Sequence, residues 1–420
     1  MRSTGGLGQR KIGTLRPIKP DAGATPTGPR LSIMAAMNNQ AGRDGLFIGL
    51  MSGTSADGVD CALVDLADRR PMLVALETTP YPDPLRKRIL DLMQGRYEGA
   101  DPIERLGSLD AELGGFFGAV ICKLLETERI ASASVRAIGS HGQTIRHRPR
   151  QPSHSFTLQI GDPNRIANAT GIVTVADFRR MDIALGGEGA PLVPGFLNHC
   201  FREEREHLVF LNIGGIANLT LWPPGAEDPI GFDTGPGNTL LDAWIRKETG
   251  CAFDRDGFYS SQGTLIPELL ERFLREPYFG APPPKSTGPE YFSPEWLSVR
   301  AGKSYRPVDI ARTLVVLTAT TIAHAIQDHA PLCKRVAVSG GGARNPLIMA
   351  ELESRLQTKA VIGTDALGLD PDGLEAMAFA WLAQQRLLEA AGNLPSVTGA
   401  RSHGRLGAVY LPGPAHPPRP

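Results

Sequence analysis

The chain has 420 residues, 41% of them hydrophobic, with 44 Lys plus Arg balancing 44 Asp plus Glu. That length and apolar content call for two globular domains with sizeable cores. The charge balance supplies no long-range field toward nucleic acid or an anionic membrane, so a small-molecule partner is expected.

Residues 1–44 carry Arg2, Arg10, Lys11, Arg16, Lys19, Arg30 and Arg43 against Asp21 and Asp44, among many Gly, Pro, Ser and Thr. Such a stretch buries no core and is expected to be a disordered basic extension, with an organellar transit peptide or an upstream start before Met34 or Met37 as alternatives. Aliphatic alternation then predicts strands at 46–51, 61–66 and 72–79, an antiparallel meander. Helices are predicted at 84–94 and 103–129, the second opened by Asp101 as cap and Pro102 in the first turn. Short buried strands follow at 135–139 and 173–176, each ending in polar residues. A second strand–turn–strand unit spans 208–214 and 218–222, and the glycine-rich 231–238 leads into a helix at 239–249. Helices at 308–329 and 374–389, the latter amphipathic, bracket a strand at 335–338, and the proline-rich 412–420 is a loose tail. The cysteines Cys61, Cys122, Cys200, Cys251 and Cys333 form no CxxC pair and read as buried, reduced thiols in a cytoplasm. No apolar run approaches the roughly 20 residues that span a bilayer.

Three glycine-rich turns, each directly after a β-like run, carry the functional signal. Glycine at such a turn lets backbone N–H groups converge on an anion with no Cβ in the way, and three turns suggest one nucleotide gripped from several sides. The first offers Gly53, Thr54, Ser55, Ala56, Asp57, Gly58, Val59 and Asp60, in which Asp57 and Asp60 can hold Mg²⁺ or its waters beside phosphates. Gly214 and Gly215 form the second turn, and Gly340, Gly341 and Gly342 the third, with Asn345 and Pro346 opening a helix behind it. An ordinary hairpin is the alternative for the first turn taken alone. His141 and His147, six apart with no third ligand nearby, are not expected to form a metal site. Asp177 and Arg179 lie before the glycines 186, 187 and 189, where the Arg can meet a phosphate or a carboxylate or simply pair with the Asp. Lys285-Ser-Thr-Gly288 lacks the upstream glycine spacing of a P-loop and reads as a structural turn bordering the cleft. Asp233, between a strand and a helix start, is either a helix cap or a desolvated general base. Glu375, opening a helix, is either a site carboxylate or a first-turn Glu favoured by the helix dipole.

Glycine hairpins in both halves, an Asp-Thr-Gly segment and a late Ser-Gly-Gly-Gly loop resemble the actin, sugar-kinase and heat-shock ATPase superfamily. More narrowly, the runs at 49–60, 139–147, 175–192, 231–238 and 375–382 resemble anhydro-N-acetylmuramic acid kinases, over about 45–411. The resemblance implies an α/β fold of two ribonuclease-H-like domains with an active-site cleft between them. It divides the chain into a first domain at 45–178 plus 392–411 and a second at 179–391. It also implies ATP and Mg²⁺, a cytoplasmic homodimer, and an enzyme of peptidoglycan recycling that opens 1,6-anhydro-N-acetylmuramic acid with water and phosphorylates its 6-oxygen. Carried over residue by residue, Asp233 is the catalytic base, and Gln143, Thr144, Asp177, Arg179 and Glu375 contact the sugar. Family members usually carry Gln where this chain has Glu188. A kinase for an open hexose or amino sugar, a filament-forming or chaperone-like ATPase, and a non-catalytic sugar-binding regulator are the alternatives, though no basic face or helix-turn-helix segment is evident for DNA.

Overall fold

The computed structural model describes residues 45–414 apart from 97, 98, 100, 152, 153 and 303. The expectations for 1–44, and for the tail from 415, lie outside the described residues. Two sheets organise the rest. The first three strands, β1 (Leu46–Ser52), β2 (Gly58–Asp65) and β3 (Met72–Pro80), form the expected antiparallel meander. Helices α1 (Asp83–Gln94) and α2 (Pro102–Thr127) follow, and the Asp101 side chain accepts from the Ile103 N–H as the sequence suggested. Strand β4 (Ala137–Arg148) pairs in parallel with β1, and β5 (Phe156–Ile160) folds back on its second half. Helix α3 (Pro163–Thr170), strand β6 (Thr174–Ala176) and helices α4 (Phe178–Ala184) and α5 (Val193–Phe201) lead to the second sheet.

That second sheet repeats the plan. Strands β7 (Leu208–Ile213), β8 (Ile216–Leu221) and β9 (Ile230–Pro236) form another antiparallel meander, followed by helix α6 (Thr239–Thr249). Helices α7 (Pro267–Leu274), α8 (Pro294–Ala301) and α9 (Pro307–His329) precede β10 (Arg335–Ser339), α10 (Pro346–Leu356) and β11 (Ala360–Gly363), and β10 and β11 add in parallel beside β7. Helix α11 (Leu374–Leu387) and β12 (Ala408–Tyr410) close the fold. The orders β3-β2-β1-β4-β6 and β9-β8-β7-β10-β11 match position for position, each a meander extended by two parallel strands, so the protein consists of two ribonuclease-H-like lobes.

Several sequence expectations change. Helix α11 is not amphipathic: every residue from Ala376 to Ala383 is buried, because α11 is wedged between the first sheet and α5. It rests on β1 and β4 so closely that a Cβ on Gly49 or Gly139 would collide with the carbonyl of Ala376 or Phe379. By contact, then, 374–387 goes with the first sheet although it lies within 179–391, and β12 returns to pair with β6. Helix α9 has mean hydropathy 1.3 over a window long enough to cross a membrane, contrary to the expectation of no such run, but 83% of that window is buried as the spine of the second lobe. Cys61, Cys200 and Cys333 are buried as expected, whereas Cys122 and Cys251 are exposed, and all five are free thiols. Between the two lobe cores lies a shared apolar seam that joins Phe47, Val64 and Val175 to Leu208, Phe210 and Ala337 through α5 and α11.

Candidate active site

The first glycine turn is held from behind by buried polar side chains. Gln143 is fully buried in β4; its Nε2 donates to the Gly53 carbonyl at 3.1 Å, and its Oε1 accepts from Ser52 Oγ at 2.7 Å. Tyr81 Oη donates to the same Ser52 hydroxyl at 2.9 Å. Ala56 and Val59 are core residues, while Thr54, Ser55 and Asp57 are exposed and the Asp57 carboxylate pairs with Arg86 at 2.6 Å. Asp60 instead faces the cleft, its Oδ1 accepting from Thr78 Oγ1 at 2.6 Å, and burial raises its proton affinity.

The second and third turns meet at the start of α6. The carbonyls of Gly214 and Gly215 accept from the N–H groups of Gly237, Asn238 and Thr239. Gly340 has φ +81 and Gly342 lies against Ile213, so the third turn nests on the end of β7. Among the described residues, the backbone N–H groups of Thr54, Ser55, Gly214, Gly215, Gly341 and Gly342 donate to no protein acceptor. Three strand ends thus present unsatisfied amides, the arrangement that suits a polyphosphate.

Asp233 is no helix cap. It lies inside β9, and Asn238 occupies the position before α6. A register shift between Ala217 and Asn218 sets Asp233 opposite Asn218, and a bulge of this kind re-aims a side chain. Backbone bonds fix the residue: its N–H donates to the Lys285 carbonyl at 3.0 Å, and its carbonyl accepts from Tyr278 Oη at 2.8 Å. Its Oδ2 accepts from the Thr287 N–H at 2.9 Å. Thr318 Oγ1, on α9, donates to the carbonyls of Pro236 and Gly237 at 3.0 Å and secures the end of β9. Burial pushes the Asp233 carboxyl up to about 6, against the pull of the Thr287 amide and with help from the like charge of Glu188.

Three cavities adjoin. One of about 420 Å³ holds Asp233 with Arg150, Glu188, Lys285 and the 395–399 turn. It shares Pro191, Asn218 and Thr220 with a cavity of about 470 Å³ lined by Asp60, Asn212, Ser339, Gly340 and Glu375. That one meets, at Arg344, a third of about 480 Å³ lined by Asn238, Asp242, Phe253, Gly341 and Asn345. Strand register explains the continuity: Asp233, Asn218, Asn212 and Ser339 stand opposite one another on β9, β8, β7 and β10, a polar row across the second sheet. Glu375, at the N-terminus of α11, opens onto the middle cavity, and burial raises its carboxyl against the opposing pull of Arg179. Arg179 Nε donates to His141 Nε2 at 2.9 Å and its Nη1 to the Gly189 carbonyl at 2.7 Å; burial lowers the guanidinium to about 10.

Of the residues singled out in the sequence, Asp60, Gly340 and Glu375 line the middle cavity, Gly341 the third and Asp233 the first. Gln143 and Thr144 do not line these cavities. They lie within β4, which runs on to Arg148 instead of ending at 139, and Thr144 Oγ1 accepts from Gln159 Nε2 at 3.0 Å. Asp177, with φ +63, faces a separate 130 Å³ cavity beside Ser140 and Tyr410. His147 Nδ1 lies 3.1 Å from Thr157 Oγ1. Sequence reasoning missed Asn218 and Arg150; it set the Lys285-Ser-Thr-Gly288 turn at the cleft border, where Lys285 and Ser286 do line the Asp233 cavity, but missed the bond from the Thr287 N–H to Asp233. Asn218 was visible only as part of a hairpin, and Thr287 acts through its backbone, which leaves no side-chain signature.

The family model for anhydro-N-acetylmuramic acid kinase matches residues 45–412. The enzyme of that name from Xanthomonas campestris pv. campestris (strain 8004) is 49% identical over 370 residues, covering 87% of this chain and 97% of that protein. Its namesake from Coxiella burnetii (strain Dugway 5J108-111) is 47% identical over 366 residues, with 87% and 97% covered. Among solved structures, xylulose kinase from Rhodospirillum rubrum superposes with a TM-score of 0.40 at 13% identity, covering 88% of this chain and 94% of that one. On the span and level of the sequence matches, this chain belongs to the anhydro-N-acetylmuramic acid kinase family.

Proposed function

We propose that the protein uses ATP to open 1,6-anhydro-N-acetylmuramic acid with water and phosphorylate the released 6-oxygen, giving N-acetylmuramic acid 6-phosphate for peptidoglycan recycling. The observation that carries this reading is Asp233: a carboxylate held by backbone bonds, raised to about 6 and facing a sugar-sized cavity that opens directly onto the middle of the cleft. The adenosine occupies the cavity at Asn238 and Asn345, and the triphosphate runs past Gly340 and Gly341 toward the amides of Gly214, Gly215, Thr54 and Ser55. The sugar sits with its acetal beside Asp233.

In the reaction, Asp233 takes a proton from water as the water oxygen attacks the anomeric carbon. The bond from that carbon to the 6-oxygen breaks, and the 6-oxygen accepts the γ-phosphoryl group as ADP leaves. The geometry is that of an inverting glycosidase in which phosphoryl transfer replaces protonation of the leaving oxygen. Glu375 orients the sugar or the water, and Arg179, tied to His141 and Gly189, opposes the burial that raises the Glu375 carboxyl.

Mg²⁺ fits the carboxylates present. Asp60 and Glu375 face one cavity with like charge, Arg344 on its wall being paired with Asp372, and no cluster of three or more ligands lies among the described residues. Such a pair suits a Mg²⁺ that keeps most of its coordination for phosphate oxygens and water. Asp60 is the residue best placed to hold it, and the ion would neutralise charge on the transferred phosphoryl group. Asp57, paired with Arg86, takes no direct part. The homodimer and cytoplasmic location belong to this proposal too, the former tested by sedimentation.

Turnover with ATP, Mg²⁺ and the anhydro sugar in ¹⁸O-water is expected to place label on the anomeric hydroxyl of the 6-phosphorylated product. A product without label would mean direct phosphorylation of an open sugar. Asp233→Asn is expected to lower kcat by roughly 10²–10⁴-fold while ATP affinity, measured by calorimetry, stays unchanged.

A further inference from the structure

Asp233 is clasped on two sides by one short segment, Lys285 through its carbonyl and Thr287 through its N–H. Ser286 sits between them, and its Oγ accepts from Arg150 Nη2 at 3.0 Å. The same guanidinium donates through Nε to Glu188 Oε1 at 2.7 Å, with Nη2 at 2.5 Å. Arg150 comes from the turn between β4 and β5, Glu188 from the loop between α4 and α5, and Ser286 from the stretch before α8. Three distant segments therefore converge on the wall of the Asp233 cavity. With side chains 65% and 39% exposed, an ion pair of this kind adds almost nothing to fold stability, so stability does not account for it.

We propose that the Arg150–Glu188 pair is a positioning device for Asp233, in which Arg150 fixes the centre of the clasp and Glu188 balances the guanidinium's field at the carboxylate. The inference rests on reading Asp233 as the general base. The other charged or titratable groups around Asp233 are few. Lys285 Nζ is turned to the carbonyls of Tyr278 and Phe279 at 3.1 Å, and the Tyr278 hydroxyl is neutral and donates to the Asp233 carbonyl. The strand opposite contributes only the neutral Asn218 and Thr220, and the 395–399 turn contributes no charge. Among the described residues, Glu188, Arg150 and Lys285 are the charges that line the Asp233 cavity, and Glu188, paired with Arg150, is the one that acts on the Asp233 carboxyl. Glu188 adds to the effect of burial on its proton affinity.

The two single variants accordingly move Asp233 in opposite directions. Glu188→Gln removes a like charge, so the acid limb of the kcat–pH profile shifts to lower pH by roughly half a unit. Arg150→Gln removes a cation and frees Glu188, so the limb shifts upward by a similar amount, and kcat at its plateau falls because Ser286 is untethered. The double variant returns the limb close to wild type. The full chain is measured from pH 5 to 9 in steady state, alongside a ¹³C-carboxylate NMR titration of the sugar-free protein in which the Asp233 signal is the one lost in Asp233→Asn. Opposite shifts in both readouts are the expected result. Unmoved midpoints, or shifts of one sign in both variants, would overturn the proposal. Turnover retained by Asp233→Asn would sink the assignment of the base instead, and the NMR midpoints would still decide on the pair.

Discussion

A carboxylate that is harder to ionise when folded weakens the fold wherever it is ionised. Asp233 is raised from 3.8 to about 6, so its contribution is fully present below the unfolded value near 3.8 and is lost as pH rises through 6. Asp233→Asn, which keeps the shape and drops the charge, is therefore expected to stabilise the sugar-free protein at pH 8 by on the order of 1–3 kcal/mol and to leave it nearly unchanged at pH 4. Urea unfolding at the two pH values measures this, and equal effects at both would contradict it. Gln143 makes the complementary case. Its substitution by Ala removes a fully buried, hydrogen-bonded amide and one bond each from the Gly53 carbonyl, which keeps the Ala56 N–H, and the Ser52 hydroxyl, which keeps Gly58 and Tyr81, at about 1–3 kcal/mol. Because that carbonyl belongs to the first glycine turn, ATP affinity falls together with stability; calorimetry and unfolding on the same variant test both. Sequence reading found Gln143 and set it at the sugar; the structure gives its amide the Ser52, Gly53 and Thr144 partners, which no sequence pattern shows, since a buried polar residue within a strand and one at a strand's end look alike until tertiary partners are known.

The glycines divide into two classes at the level of elements. Gly49 and Gly139 let α11 lie directly on β1 and β4, whereas Gly53 has only Ser55 Oγ at 3.8 Å from the place a Cβ would occupy. Gly49→Ala and Gly139→Ala are expected to lower stability by about 1–3 kcal/mol or prevent folding, by overpacking a helix–sheet contact. Gly53→Ala should unfold like wild type and bind ATP less tightly; thermal unfolding paired with nucleotide titration separates the classes. Both kinds sit in one run of the sequence, 49–60, which read as a single phosphate loop. The meanders themselves were plain to see, because β1–β3 and β7–β8 alternate apolar residues between glycine turns. Helices α3, α4 and α5, of 8, 7 and 9 residues, went unread: two turns carry too little periodicity, and α4 begins at an Asp in a left-handed conformation.

At the scale of the whole molecule, the glycine turns proposed to grip the nucleotide come from both lobes while the apolar seam through α5 and α11 is continuous. On the proposed function, closure is expected to pivot about that seam, so scattering should show a smaller radius of gyration with a non-hydrolysable ATP analogue and the anhydro sugar together than with either alone. Identical curves in all states would argue for a cleft preformed in its working shape. The two-lobe plan was legible because its repeated meander recurs in sequence; the seam was not, because α11 packs against strands more than 200 residues earlier. One consequence of that helix reaches into how variants of this protein would be sorted. Glu375 stands at its first turn while Ala376 and Ala380 are fully buried and their backbone lies over Gly49 of β1, so a methyl group added to either alanine is expected to overpack this contact and tip the carboxylate without meeting sugar or nucleotide. A library scored only for growth on recycled wall fragments would file such changes beside true chemical knockouts, and only their lowered melting temperatures would tell the two apart.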